Sequence, residues 1–295
     1  MGYAERNVDG GATSEKTASA IIGASGVVGS YILEEFVRRG APVLALSRSP
    51  RQRAGVEWIG ADLRKPDTLV LPPCCTLYCT ADAVLLVHAL PRLLESGAKR
   101  LVAFSSTSVL TKQDTEVGEE RELIHQLAEA ERRIVALCEQ RHVGWTILRP
   151  TLIYAEGRDT NITPLSKLIR RFGFMPLVGG ARGLRQPVHA EDLAIGAIAA
   201  AASRSAVNNF YTLPGAEILS YREMIGRLFD ALHLPRRLIS VPPWLWRAGF
   251  GLAKPLFPGS NVAMGIRMMK DMTFDSRPAV HDFGWNPRAF RPIFD

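Results

Sequence analysis

Three evenly spaced glycines form the stretch of this chain best suited to binding phosphate. Gly23, Gly26 and Gly29 follow an apolar, β-prone run and lead into a helical pattern over residues 30–39 that stops at Gly40. A glycine turn between a strand and a helix presents backbone N–H groups, unshielded by a Cβ, at the positive end of the helix dipole. In this context the spacing G-x-x-G-x-x-G predicts a dinucleotide site; the alternative is an ordinary glycine-rich βα turn.

The turn after the second predicted strand is basic. Residues 42–47 are predicted to form that strand, and Arg48, Arg51 and Arg53 follow it without an Asp or Glu. An acidic residue at this strand end would bind the ribose 2′-hydroxyl of NAD, whereas guanidinium groups suit the 2′-phosphate of NADP. We therefore predict NADP as the cofactor in preference to NAD. The alternative is a solvated basic turn.

Alternating strands and helices must position these residues. After the first βα unit and the second strand, residues 56–63 are predicted to form a short strand followed by an acidic–apolar pair. Further strands are predicted at 76–81, 100–106 and 145–150, with helices at 82–97 and about 119–141. This order predicts an α/β fold with a doubly wound parallel sheet of the Rossmann type. Ligands of such sheets bind at the carboxyl ends of the strands.

The chain is expected to divide into three parts. Residues 1–16 mix polar residues without periodicity and are predicted to be a disordered leader. Residues 17–155 should form the dinucleotide-binding core. Residues 156–295 should form a smaller, irregular α/β region for the substrate, of which 187–215 returns to pack on the core.

Composition and charge limit the class of protein. With 47% hydrophobic and 22% charged residues, no apolar run of about 20 residues and no apolar signal segment, the chain is expected to be cytoplasmic. Residues 1–150 hold 18 basic and 18 acidic residues, and residues 151–295 hold 18 and 11. The basic second half suggests an anionic ligand or surface, or else a solvated face. No basic run with interleaved aromatics is present, so nucleic acid is not an expected partner.

Four cysteines, at positions 74, 75, 79 and 138, form no C-x-x-C pair. Metal sites of the common structural kinds need such pairs or clustered histidines. We therefore predict no metal site and mostly buried, reduced thiols.

Five segments occur in the order expected of one superfamily. They read GASGVVG (23–29), ADL (61–63), FSSTSV (104–109), TILRPTLIY (146–154) and PVHAEDLA (187–194). Together they resemble the extended short-chain dehydrogenases/reductases, which are related to nucleotide-sugar epimerases and dehydratases. The resemblance covers about residues 20–200.

The resemblance implies a role for each matching position. It puts the pyrophosphate and adjoining ribose on the glycine turn, at Gly23, Ser25, Gly26, Val28 and Gly29. It puts the adenosine on Arg48, Asp62 and Leu63, lines the cofactor with Thr80 and Ala81, and brings Pro150 and Thr151 near the nicotinamide. Ser106 takes the position of the catalytic Ser/Thr.

The chain departs from this superfamily at its proton-transfer pair. The family needs Tyr and Lys spaced Y-x-x-x-K on the helix after the fifth strand, where the lysine lowers the pKa of the tyrosine. Aligning Glu131 with the usual glutamate puts Leu123 and Leu127 at these two positions. No tyrosine in the sequence has a lysine four residues later. Ser106 can orient a carbonyl but cannot supply the proton.

Two functional hypotheses follow from these observations. One is an atypical NADP-dependent oxidoreductase or epimerase acting on a small anionic, nucleotide-sugar-like substrate. Arg185 would meet a phosphate, and His125 would replace the tyrosine because imidazole titrates near neutral pH. The other is a non-catalytic NADP-binding sensor or structural subunit that is stabilised by its cofactor.

Residues 236–257 support a third hypothesis. The segment combines arginines with Trp244 and Trp246, as helices at membrane surfaces do. It predicts either a membrane-surface contact or a lid helix whose aromatic side chains pack inward, and we prefer the lid helix.

Overall fold

A computed structural model describes residues 18–111, 118–253 and 262–294. The predicted leader at 1–16 and the end of the segment 236–257 lie outside these residues. In the described chain the strands are β1 (Ser19–Ile22), β2 (Val43–Ser47), β3 (Glu57–Gly60), β4 (Thr76–Cys79), β5 (Arg100–Phe104), β6 (Gly144–Pro150), β7 (Ile153–Tyr154), β8 (Met175–Val178), β9 (Leu184–Arg185), β10 (Val188–His189), β11 (Asn209–Leu213), β12 (Leu219–Ser220) and β13 (Leu238–Val241). The α-helices are α1 (Val27–Arg38), α2 (Ala83–Leu93), α3 (Ser108–Thr111), α4 (Gly118–Gln140), α5 (Ile162–Phe172), α6 (Ala190–Ala202), α7 (Tyr221–Ala231), α8 (Pro243–Ala253), α9 (Val262–Arg267) and α10 (Arg277–Phe283).

Seven strands form one parallel sheet in the order β11-β6-β5-β4-β1-β2-β3. Strands β1, β2 and β5 are buried along their whole length, as continuous apolar strands covered on both faces must be. The strand order reverses beside β1, which places the glycine turn where open α/β sheets bind ligands.

Helices cover both faces of this sheet. Residues of α2 and α4, among them Leu90 and Ile134, pack on one face. Residues of α1 and α6, among them Ile32 and Leu193, pack on the other. The doubly wound parallel α/β fold predicted from the sequence is therefore confirmed.

The chain beyond β6 builds a smaller, irregular region. Helices α5 and α7 pack with β8 around a separate apolar cluster that includes Ile169, Leu177 and Phe229. Three two-stranded sheets, β7–β10, β9–β12 and β8–β13, join its loops. Helix α6 and strand β11 belong instead to the central sheet and its covering layer. No helix in the described part of the chain is long and apolar enough to cross a bilayer.

Candidate dinucleotide-binding site

The glycine turn between β1 and α1 is packed too closely for side chains. Gly23 has a φ of +83°, a left-handed conformation that favours glycine, and its carbonyl oxygen accepts a hydrogen bond of 2.9 Å from the N–H of Gly26. A Cβ on Gly29 would lie 2.2 Å from that carbonyl oxygen and 2.8 Å from the hydroxyl oxygen of Thr80. Glycine at position 29 therefore lets α1 approach the turn.

The turn leaves open backbone donors at the start of a helix. Helix α1 begins after Gly26, which offers no capping side chain, so the N–H groups of the first turn lack intrahelical partners. Such a terminus attracts phosphate through these donors and the helix dipole. The hydroxyl of Thr80 donates to the carbonyl oxygens of Ile22 and Gly23, 3.2 and 3.1 Å away, and so ties the turn to the end of β4.

A cavity of about 270 Å³ opens beside this turn, at the carboxyl ends of β4, β5 and β6. The structure brings together five of the predicted site residues on its wall: Val28, Thr80, Ala81, Ser106 and Pro150. Phe104, Leu127 and Ile153 make much of the remaining wall apolar.

Two serines at the end of β5 supply polar groups to the cavity. The hydroxyl oxygen of Ser105 is buried and has no hydrogen-bond partner among the described residues. The hydroxyl oxygen of Ser106 accepts a 3.1 Å hydrogen bond from the N–H of Ser108, which leaves its own proton available to donate. Ser105 was not singled out from the sequence, although the run of hydroxyl residues from 105 to 108 was the signal for it.

Helix α4 presents to the cavity the leucine that the sequence register predicts in place of the superfamily's lysine. Leu127 lies on the cavity wall, and Leu123, at the predicted tyrosine position, is 65% exposed. His125 is exposed and does not line the cavity. It lies two positions before Leu127, a rotation of about 200° around an α-helix, so the two side chains lie on nearly opposite faces. The structure thus does not bring His125 to Ser106.

The tyrosines of the described chain are poorly suited to replace the missing proton donor. A catalytic tyrosine must have its pKa lowered toward neutrality. Burial instead raises the pKa of five tyrosines, to about 12 for Tyr221 and upward for Tyr31, Tyr78, Tyr154 and Tyr211.

The end of the site near β2 is basic. Arg48 is exposed directly after β2, and Arg51 and Arg53 line an open pocket beside it. Asp62 is bound by the Arg64 guanidinium, with Nε and Nη2 at 2.9 and 2.7 Å from its carboxylate oxygens. This hydrogen bonding from Arg64, helped by the charge of Arg48, lowers the pKa of Asp62 to about 2. Arg64 thus neutralises Asp62 and leaves the three arginines as the local excess charge.

Three further residues predicted to belong to the site, Ser25, Leu63 and Thr151, make contacts within the protein. The hydroxyl of Ser25 is 2.8 Å from that of Ser47 and links the turn to β2. Leu63 is buried in the core beneath Asp62. The hydroxyl of Thr151 donates to the carbonyl oxygen of Gln186.

Arg185 lies away from the cavity wall. Its guanidinium donates to three backbone carbonyl oxygens, those of Leu184, Lys270 and Arg267, at 2.6 to 2.8 Å. The side chain is buried, and desolvation by burial lowers its pKa. In this conformation Arg185 ties β9 to the chain near residue 270.

The residues present fit a dinucleotide. The glycine turn leaves the space that a phosphate needs, and the partnerless hydroxyl of Ser105 and the proton of Ser106 offer polar contacts in the cavity. No group of three or more His, Cys, Asp or Glu side chains that could hold a metal ion occurs within the described residues.

Comparison with known proteins assigns the family. A profile described as NAD(P)H-binding matches residues 23–171, half of the chain. Over 222 residues the chain is 24% identical to UDP-glucose 4-epimerase of Vibrio cholerae, covering 72% of this chain and 66% of that protein. Over 271 residues it is 23% identical to the mitochondrial NADH dehydrogenase [ubiquinone] 1 alpha subcomplex subunit 9 of Arabidopsis thaliana, covering 82% and 65%. The matches span just under two thirds of the length of these relatives.

Solved structures agree on the fold. The structure of MoeE5 in complex with UDP-glucuronic acid and NAD has a TM-score of 0.70 with this chain at 19% identity, covering 92% of this chain and 94% of that one. The chain therefore belongs to the NAD(P)H-binding family, and it is similar in sequence and fold to epimerases of the short-chain dehydrogenase/reductase type.

Proposed function

We propose that this protein binds NADP(H) in the candidate cavity without catalysing a reaction, and acts as a redox sensor or a structural subunit. The observation that carries the proposal is Leu127, which lies on the cavity wall and which the sequence register predicts to stand in place of the family's lysine. A leucine can neither lower the pKa of a neighbouring phenol nor donate a hydrogen bond to a ribose.

The surroundings of Leu127 support the same conclusion. His125 faces away from the cavity, and burial raises rather than lowers the pKa of the described tyrosines. Nicotinamide cofactors supply hydride chemistry when bound, but exchange of a proton with a substrate hydroxyl needs a protein group. Ser106 can hold an oxygen atom of a ligand, yet its hydroxyl is too weak an acid to provide that proton alone.

The preference for NADP over NAD belongs to the same proposal. Arg48, Arg51 and Arg53 follow β2, and Asp62 is neutralised by Arg64. Guanidinium groups without competing carboxylates favour a ligand with an additional phosphate. We also propose that residues 17–155 hold the cofactor and that the smaller region beyond them meets any other partner.

An atypical oxidoreductase or epimerase acting on a nucleotide sugar is the second candidate. The two serine hydroxyls at the end of β5 favour it because they could hold a ligand oxygen. One relative is named UDP-glucose 4-epimerase, and MoeE5 was solved with UDP-glucuronic acid. Against it, Arg185 already donates to backbone carbonyl oxygens, and the other curated relative is a subunit of a larger complex.

Binding and turnover measured on the full chain separate the two candidates. NADPH and NADH are titrated by fluorescence, thermal unfolding is followed with each, and turnover is assayed with UDP-glucose and UDP-glucuronic acid. We expect NADPH to bind more tightly than NADH and to stabilise the fold by about 2.7 kcal/mol at a hundredfold excess over its Kd. We expect no turnover.

Each contrary result has a distinct meaning. Failure of both cofactors to bind would contradict the cofactor site itself. Turnover of either nucleotide sugar would replace the proposal with the second candidate. In that case His125→Ala identifies the acid–base group: loss of turnover with unchanged NADPH binding would assign it to His125, despite its exposed position on α4.

A further inference from the structure

One surface of the smaller region is rich in apolar and basic side chains. We call it the β8–β13 face; it is formed by these two strands, the residues leading into them and the first turn of α8. Residues 174–178 and 237–247, which supply these strands and this turn, contain no Asp or Glu. Arg237 and Arg247 lie within these residues.

The pairing of β8 with β13 decides which side chains point outward. The parallel register sets Ile239 beside Pro176 and Val241 beside Val178. Since side chains alternate along a strand, these four share one side of the small sheet. Leu177 points to the other side, into the apolar cluster with α5 and α7.

Helix α8 covers only one end of the outer side. Trp246 is buried against Val178 and Val241. A Cβ on Gly265 of α9 would lie 2.2 Å from the indole nitrogen of Trp246, so the ring is held closely between the strands and α9. Trp246 therefore packs inward, as the lid interpretation of this segment expected.

The neighbouring apolar residues are exposed. Trp244 and Leu245 precede Trp246 on α8 and are 69% and 46% exposed. Ile239, at the uncovered end of β13, is 51% exposed, and Phe174, just before β8, is 40% exposed. One tryptophan thus anchors the helix while the other projects outward, which the inward-packing interpretation did not anticipate.

Two arginines accompany these side chains. Arg237 and Arg247 are exposed and form no ion pair with any described residue. Arg236 differs, because it is paired with Asp230 and Glu223 on α7. The face therefore carries positive charge that its own surroundings do not compensate.

We propose that the β8–β13 face binds the surface of an anionic phospholipid bilayer. Tryptophan and aliphatic side chains enter the headgroup region, and arginines beside them contact anionic headgroups while their aliphatic stems cover apolar surface. A specific protein interface buries roughly 800 Å² on each partner. Four projecting apolar side chains form a patch that is small for such an interface. The same set suits a bilayer, because shallow insertion and electrostatic attraction add.

Vesicle flotation of the full chain tests the proposal. Vesicles of phosphatidylcholine alone are compared with vesicles that also contain phosphatidylserine. We expect binding to the anionic vesicles only, and release as salt is raised because screening shortens the reach of the arginines. Brominated phosphatidylserine should quench the tryptophan fluorescence of the wild type but not that of Trp244→Phe, which should still bind.

Two double variants, each with a matched control, assign binding to this face. Trp244→Ser with Leu245→Ser should weaken binding at least about 10-fold, since it removes the inserting side chains. Its control, Val70→Ser with Ile195→Ser, removes two exposed apolar side chains that lie outside the β8–β13 face. Arg237→Glu with Arg247→Glu should also weaken binding at least about 10-fold. Its control, Arg141→Glu with Arg204→Glu, makes the same change in net charge at exposed positions elsewhere.

The outcomes are decisive in both directions. Binding that needs phosphatidylserine, is lost in both face variants and persists in both controls would support the proposal. Absence of binding, equal binding to neutral vesicles, or equal loss in variants and controls would overturn it. If the face instead binds an acidic protein, the chain would not bind the vesicles, and this result would contradict the proposal. Unchanged thermal unfolding of the variants confirms that they are folded.

Discussion

At the scale of single residues, the proposed preference for NADP can be tested at Arg48. It is exposed at the end of β2, and its charge contributes to the lowered pKa of Asp62. We expect Arg48→Asp to reduce the preference for NADPH over NADH by about 10-fold or more, because a guanidinium–phosphate contact is replaced by repulsion. Fluorescence titration with both cofactors measures the ratio. An unchanged ratio would show that the 2′-phosphate does not lie at Arg48.

The four cysteine thiols are expected to differ in reactivity. Burial raises the pKa of Cys79 and Cys138 to about 12 and also raises that of Cys74, whereas Cys75 is partly exposed. Because the thiolate is the reactive form, a disulfide reagent near pH 8 should modify Cys75 well before the other three. Absorbance of the released thiol should show a fast phase that disappears in Cys75→Ser. A fast phase that survives this substitution contradicts the expectation.

At the scale of elements, the close approach of α1 to the glycine turn can be tested directly. Gly29→Ala places a Cβ 2.2 Å from the carbonyl oxygen of Gly23, so the turn or the helix must move. We expect a loss of about 1–3 kcal/mol in the free energy of unfolding and weaker NADPH binding. Gly118→Ala is the matched control, because its Cβ would meet no atom within 4 Å. Equal effects of the two substitutions would contradict the packing argument.

A buried ion pair fastens α4 to the sheet. Glu131 on α4 is bound by the guanidinium of Arg149 on β6, which also lies 4.3 Å from the centre of the Phe210 ring. Glu131→Gln removes the negative charge and should cost about 3–5 kcal/mol in the free energy of unfolding. Glu129→Gln, which breaks an exposed pair with Arg132 on the same helix, should cost about 0–1 kcal/mol. Urea unfolding distinguishes the two, and similar losses would contradict the buried-pair argument.

Elements with a strong local pattern were predictable from the sequence. The predicted helix at about 119–141 is found at 118–140, and the predicted strand at 145–150 is found at 144–150. Their apolar periods and the glycine spacing are local properties, so no distant contact was needed to recognise them.

The contacts and burial of single side chains were harder to predict from the sequence. Two of the three carbonyl oxygens that bind the Arg185 guanidinium belong to Arg267 and Lys270, more than 80 positions further along the chain. Trp244 and Trp246 look alike in the sequence, but only the packing of α8 on β8 and β13 shows which of them is buried. Tertiary contacts of this kind leave no local signal, so residue types alone could not reveal them.

At the scale of the whole molecule, ionisable groups predict how stability depends on pH below neutrality. Hydrogen bonding from neighbouring arginines lowers the pKa of Glu35 and Asp62 to about 2 and also lowers those of Asp230 and Asp275. Between roughly pH 4.5 and pH 2 the unfolded chain therefore binds more protons than the folded one, and stability falls as pH falls. Asp230 and Asp275 are about half exposed and Glu35 and Asp62 partly exposed, so solvent screens these ion pairs; the slope should be shallow and should weaken with added salt.

At alkaline pH the dependence has the opposite sign: stability falls as pH rises, because buried neutral groups must lose their protons on unfolding. Burial holds Cys79, Cys138 and Tyr221 protonated to about pH 12, whereas the same groups in the unfolded chain titrate at roughly 8.5 to 10. Their contribution is present below that range and is lost as pH rises through it toward 12. Urea unfolding across this range should give a midpoint that falls less steeply in Cys138→Ala than in the wild type. Equal slopes in Cys138→Ala and the wild type would show that this buried thiol does not contribute to the loss of stability at alkaline pH.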